Sequence, residues 1–165
     1  MMKGAMTMMT EIRNDFSPVT ALLSAFARTF DEEYTVELGA DFEAVDDEKI
    51  VYAIAMMDEG ATSFRENFVK RFPACEVFDI FTLSFMHELG HLETAWDMVD
   101  DVAQRNAIHA MTDKAKAYRR YYALHNERIA TDWAGEYLTD HLAEMQEWER
   151  KVLTALRLVW EKFPD

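Results

Sequence analysis

The sequence predicts an α+β domain, mostly helical, with a small antiparallel sheet and an H-E-x-x-H string on a central helix. Three observations point there. Hydrophobic spacing is helical over residues 16–30, turns strand-like between 34 and 55, and is helical again from about residue 62. Strands grouped at one end, with helices after them, make a segregated architecture rather than alternating units. No internal repeat, low-complexity tract or Gly/Ser linker interrupts the 165 residues, so 1–165 reads as a single domain.

Each element has its own signal. Val19, Leu22, Leu23, Phe26 and Phe30 recur at helical spacing after Ser17-Pro18, which places a helix over 16–30. Tyr34-Thr35-Val36-Glu37-Leu38 reads as a strand closed by Gly39, and Lys49 to Ala55 as a second. Asp46-Asp47-Glu48 supplies the turn of a hairpin with a long loop between them, and residues 42–45 add a short third strand. A helix over 62–71 ends before Pro73, and the motif helix runs from about 76 to 92. Further helices cover 101–111 and 113–123, and a long one starts at about 126 and divides near its middle. In that tail Leu138, Leu142, Met145, Trp148, Val152, Leu153, Leu156, Val159 and Trp160 form a helical stripe, which packs on the common core rather than on a partner.

Composition narrows the function classes. Half the residues are hydrophobic, enough for a core without disulfide staples, and the single Cys75 cannot pair within the chain. A lone cysteine also leaves histidine and carboxylate as the available metal ligands, and it suits a reducing compartment. The methionine-rich start is too short and mixed for a signal peptide, and no run approaches a membrane span. The expectation is a soluble, cytoplasmic protein. With 17 basic and 31 acidic residues the net charge is −14, which argues against direct nucleic-acid binding. Eleven of the acids fall between Asp31 and Glu59 beside one base, Lys49, and read as a solvated surface. Lys114, Lys116, Arg119, Arg120 and Arg128, interleaved with Tyr118, Tyr121 and Tyr122, read as an exposed helix face.

Chemistry concentrates at His87-Glu88-Leu89-Gly90-His91. On a helix, His87 and His91 sit at i and i+4, stacked on one face, where two imidazoles reach one zinc ion. Glu88 follows the first ligand directly, so its carboxylate can act on a zinc-activated water as a base without binding the metal. A third protein ligand is needed. Asp97 would be rotated by roughly 100° from the shared face on a continuing helix. His109, His125 and His141 have no supporting local pattern. Glu127 is better placed, because Ala130, Thr131 and Ala134 beside it are small enough for its helix to approach the motif helix.

H-E-L-G-H at 87–91, followed by E-x-x-A-x-x-W-A at 127–134, resembles the small zinc peptidase-like proteins of mobile elements and bacterial stress regulation, the ImmA/IrrE type. In that family a glutamate heads a helix of the form E-x-x-A-N-x-F-A. The resemblance implies a zincin-like domain of the gluzincin class, with zinc held by His87, His91 and Glu127 and with Glu88 as the catalytic base. It also implies a narrow protein or peptide substrate, such as a transcriptional regulator or repressor. Thr131 stands where the family has an Asn suited to orienting a ligand histidine, which leaves that support open, and Asp132, one residue on, substitutes only if the helix is rotated. Residues 135–140 lack the family's Leu-Leu-x-Pro ending, and no helix-turn-helix precedes the motif. For the oxyanion donor, Tyr118, Tyr121, Tyr122 and His125 stay open. Two rival expectations stand beside the peptidase. One is a non-catalytic metal-containing or acidic protein-binding module of a mobile element. The other is a metal-free interaction protein joined through its last helix.

Overall fold

Asp79 starts the helix that organises the molecule. Its backbone is extended, and its carboxylate accepts the Phe81 N–H at 2.9 Å, a side-chain cap for α3 (Ile80–Glu93). The Asp79 N–H is in turn donated to Glu149 Oε2 at 2.8 Å. Upstream, Pro73–Val77 forms a 3₁₀ turn, so the motif helix begins later than the expected residue 76. The extended backbone of Phe78 and Asp79 separates the two. Residues Phe81 to His87, with Leu89, Gly90 and Leu92, are buried, so most of the surface of α3 is enclosed.

The structure, a computed structural model, describes residues 2–53 and 61–162, with side chains over 10–53 and 62–162. The remaining elements are α1 (Met2–Ala27), β1 (Thr35–Leu38), β2 (Glu43–Val45), β3 (Ile50–Ala53), α2 (Ala61–Arg71), α4 (Val102–His109), α5 (Lys114–Ala123), α6 (His125–Asp140) and α7 (Leu142–Lys162). The α+β expectation holds at this level: a mostly helical chain with one small sheet.

Two expectations are corrected. Pro18 lies inside α1 instead of opening it. Proline lacks an N–H but its fixed φ is helical, so the helix continues with one hydrogen bond missing. Of the predicted stripe, Val19 and Leu23 are buried and Leu22, Phe26 and Phe30 pack against the core, with Phe16 and Ala27 buried beside them. The sheet is mixed, not antiparallel, in the order β1-β3-β2. The Asp46–Glu48 turn, ending on Lys49 in the left-handed region (φ 55°), folds β2 back onto β3, with Glu43 opposite Tyr52 and Val45 opposite Ile50. β2 thus takes the antiparallel side of β3, and β1 pairs on the other side in parallel, Thr35 with Ile50 through Leu38 with Ala53. Ile54 and Ala55 of the expected strand lie outside the described residues.

His141 divides the long tail into α6 and α7. Leu138, Met145, Val152, Leu156 and Val159 are buried in the core, and Leu142 and Trp148 pack against it, so the tail stripe belongs to this domain. The basic residues of α5, with Arg128 on α6, are exposed. Among the described residues no helix is long and apolar enough to cross a membrane.

Candidate metal centre

Gly90 sets the distance between α3 and α6. A Cβ there would lie 2.4 Å from the Ala130 carbonyl oxygen, so the two backbones touch at this point. Ala130 and Ala134 keep the facing side of α6 small and fully buried. The close approach brings the head of α6, with Glu127, over the C-terminal half of α3.

His87 and Glu127 are buried, at 4% and 3% exposure. His87 Nε2 lies 3.2 Å from His91 Nε2 and 3.2 Å from Glu127 Oε1. His91 Nε2 lies 3.0 Å from Glu127 Oε2. Zinc bonds of roughly 2.0–2.1 Å in a tetrahedron set ligand atoms about 3.3 Å apart, so the spacing of these three groups is close to a tetrahedral face. The opposite side of the His87 ring is occupied as well: Nδ1 lies 2.9 Å from Thr131 Oγ1. With its proton on Nδ1, His87 donates to Thr131 and turns an unprotonated Nε2 toward His91 and Glu127. Phe64 packs edge-on against the same ring, with centroids 5.2 Å apart. The residue whose support for a ligand histidine the sequence left open therefore reaches that histidine. Asp132 does not: its carboxylate is paired with Arg71 and, at 4.0 Å, with Arg128.

His87, Glu88 and His91 offer ligand atoms within 4.8 Å of one another, and this group could hold a metal ion. The charges respond to that proximity. Burial works to raise the Glu127 carboxyl, but the hydrogen bonds and charges of His87 and His91 hold it well below the usual carboxylate range. Burial works to lower His91, but its hydrogen bond to Glu127 and the charges of Glu127 and Glu88 together raise it. Burial pushes the Glu88 carboxyl up, against the charges of the two histidines. Glu88 and His91 open onto a cleft of about 520 Å³ that Glu127, Arg105 and Tyr121 also line.

Arg105 and Asn126 were not singled out from the sequence. Arg105 donates to Glu127 Oε2 at 3.0 Å, to Asp101 Oδ1 at 2.7 Å and to the Tyr121 hydroxyl at 3.3 Å. The Asn126 amide grips the backbone of Val99 from both sides, at 2.9 and 2.8 Å, and reaches Asp101 Oδ2 at 3.3 Å. Together they fasten the segment after α3 to the head of α6. The one local signal was the i,i+4 spacing of Asp101 and Arg105, which marks an ion pair and says nothing about what lies beside it.

The remaining candidates separate cleanly. Asp97 lies on a 3₁₀ turn beyond the end of α3, where His125 Nε2 meets its carbonyl at 2.9 Å. His141 donates from Nδ1 to the Tyr137 carbonyl at 2.9 Å and stacks on the Tyr137 ring. His109 lines a neighbouring groove with Tyr118 and Tyr122. Of the four possible oxyanion donors, Tyr121 alone lines the cleft. No protein-family model matches the chain, and no curated protein or solved structure matches it.

Proposed function

We propose that this chain is a zinc-dependent endopeptidase of the ImmA/IrrE-like, gluzincin type, cleaving one or few protein partners. The observation that carries the reading is the convergence of His87 Nε2, His91 Nε2 and the Glu127 carboxylate at 3.0–3.2 Å, with Thr131 on the far nitrogen of His87. These three side chains would be the metal ligands, and an all-nitrogen-and-oxygen set of this spacing suits zinc. Zinc bound there would supply a Lewis acid, polarising the scissile carbonyl and acidifying a water toward a pKa of about 7.

The rest is work for the chain's own groups. Glu88 faces the cleft with a carboxyl raised by burial, which suits a group that both takes and returns a proton. It accepts one proton from the attacking water on a carboxylate oxygen. The water oxygen adds to the amide carbon, the C–N bond breaks, and Glu88 delivers the proton to the leaving nitrogen. Tyr121 is the donor for the developing oxyanion. Its hydroxyl oxygen accepts from Arg105, and the hydroxyl also hydrogen-bonds Glu127, so its proton would turn from that carboxylate to the oxyanion. Asp101 and Asn126 hold Arg105 and the adjoining loop in register.

Metal content tests the centre. Untagged protein should carry about one zinc per chain by mass spectrometry. The metal should be lost in His91→Ala and held more weakly in Glu127→Ala. No metal in any form, even after zinc is added back, would overturn the proposal.

A further inference from the structure

Resting on the peptidase reading, we infer that the cleft selects a basic segment carrying a large apolar side chain. Exposed carboxylates line the cleft from two separate segments. On one stand Glu43 of β2 and Asp46 of the following turn, both exposed. On the other stands exposed Asp100, ahead of α4. The one arginine or lysine in the lining is Arg105, and it is already matched by Asp101 and Glu127. The three rim carboxylates therefore face the cleft with no lining Lys or Arg left to balance them. They lie in a chain of net charge −14, whose summed field favours approach of a cationic partner.

The same mouth carries an apolar collar. Met98 and Val99 line the cleft at 42% and 51% exposure, and Val102 lines it at 62%. Trp96, two residues before Met98, is 85% exposed. Among the described residues, large hydrophobic side chains this open are concentrated on this one segment, and Asn126 pins its backbone at Val99. A rigid apolar ledge beside unbalanced carboxylates is complementary to a segment with Lys or Arg next to Leu, Met or an aromatic residue. An acidic or purely polar segment would meet repulsion at Glu43, Asp46 and Asp100 and would leave the ledge uncovered.

The test is binding, read apart from cleavage. Full-length protein carrying Glu88→Gln is titrated with short fluorescent peptides: a Lys/Arg peptide with a central Leu-Phe, its Glu-substituted counterpart, and a Lys/Arg peptide with Ser at the apolar positions. Tighter binding of the first by about tenfold over each of the others is expected, falling as salt rises from about 0.05 to 0.3 M. The preference should vanish in Glu43→Lys/Asp46→Lys/Asp100→Lys, and the apolar part of it in Met98→Ser/Val102→Ser. Circular dichroism checks that these exposed changes leave the fold intact. Equal binding of the acidic peptide, no binding of the basic one, or an unchanged preference in the triple variant would overturn the inference. The wild type is then incubated with the same peptides. Selective binding without cleavage would leave this inference standing and count against the peptidase reading.

Discussion

The two ends of α3 are each held by a buried glutamate from the C-terminal helices, and the two glutamates behave in opposite ways. At the N-terminal end Glu149 of α7 accepts the backbone N–H of Asp79. At the other end Glu127 of α6 faces His87, His91 and Arg105. Burial works to raise both carboxyls, and only Glu149 ends up raised. What separates them is the partner. The Thr82 hydroxyl and the Asp79 amide do not offset the loss of water at Glu149, whereas the hydrogen bonds and charges of two imidazoles do at Glu127. One end of the helix is therefore built to start it, and the other is built around positive charge.

The widest predicted separation is catalytic. Glu88→Gln should retain the metal yet lower turnover of any substrate the wild type cuts by about 10²–10⁴-fold, whereas Glu149→Gln should leave turnover close to wild type. Unchanged turnover in Glu88→Gln would sink the proposed mechanism. Next comes the backbone contact on which the centre depends. Gly90→Ala would drive a methyl into the Ala130 carbonyl, at a cost of about 3 kcal/mol in urea unfolding, with metal content falling alongside. A variant as stable and as metal-rich as wild type would mean that the helices part easily.

Thr131→Val removes the acceptor for His87 Nδ1 with little change in volume. Metal affinity, followed by chelator competition, should weaken about 10–100-fold while the fold persists. The smallest effect tests the two glutamates directly, in protein stripped of metal. Glu127 is depressed below its ordinary 4.5, so the stability it contributes is present above that pH and is lost as pH falls through the folded value. Glu149 is raised above 4.5, so its contribution is present below 4.5 and is lost as pH rises through the folded value. At pH 7, Glu127→Gln should therefore cost about 2 kcal/mol, and Glu149→Gln should match or slightly exceed wild type. Both differences should shrink in acid. Shifts of the same sign in the two variants, measured by urea melts at both pH values, would mean that the contrast between the ends of α3 is wrong.

Much of the helical frame was legible in the sequence, because apolar spacing survives folding unchanged. The α1 stripe and the tail stripe both became core. Errors fell where a local signal had two outcomes. Ser17-Pro18 is equally compatible with a helix start and with a helix that tolerates one lost hydrogen bond. The Asp46–Glu48 turn was recognised, but a turn does not say which preceding strand it folds back, and that choice made the sheet mixed.

By itself the sequence determined what is periodic and what is chemically scarce. It stacks His87 above His91 on one helix, puts Glu88 beside the first of them, and leaves a single cysteine that cannot complete a thiolate site. It also made Glu127 the best-placed further carboxylate, through the small residues around it. Only the tertiary structure decided that Thr131, and not Asp132, meets His87, because facing direction depends on how α6 is rotated about its own axis. Arg105, Tyr121 and Asn126 likewise became neighbours of Glu127 through packing. Spacing along one helix is set by covalent geometry, whereas contact between helices is set by shape, and here the shape turns on the missing side chain of Gly90.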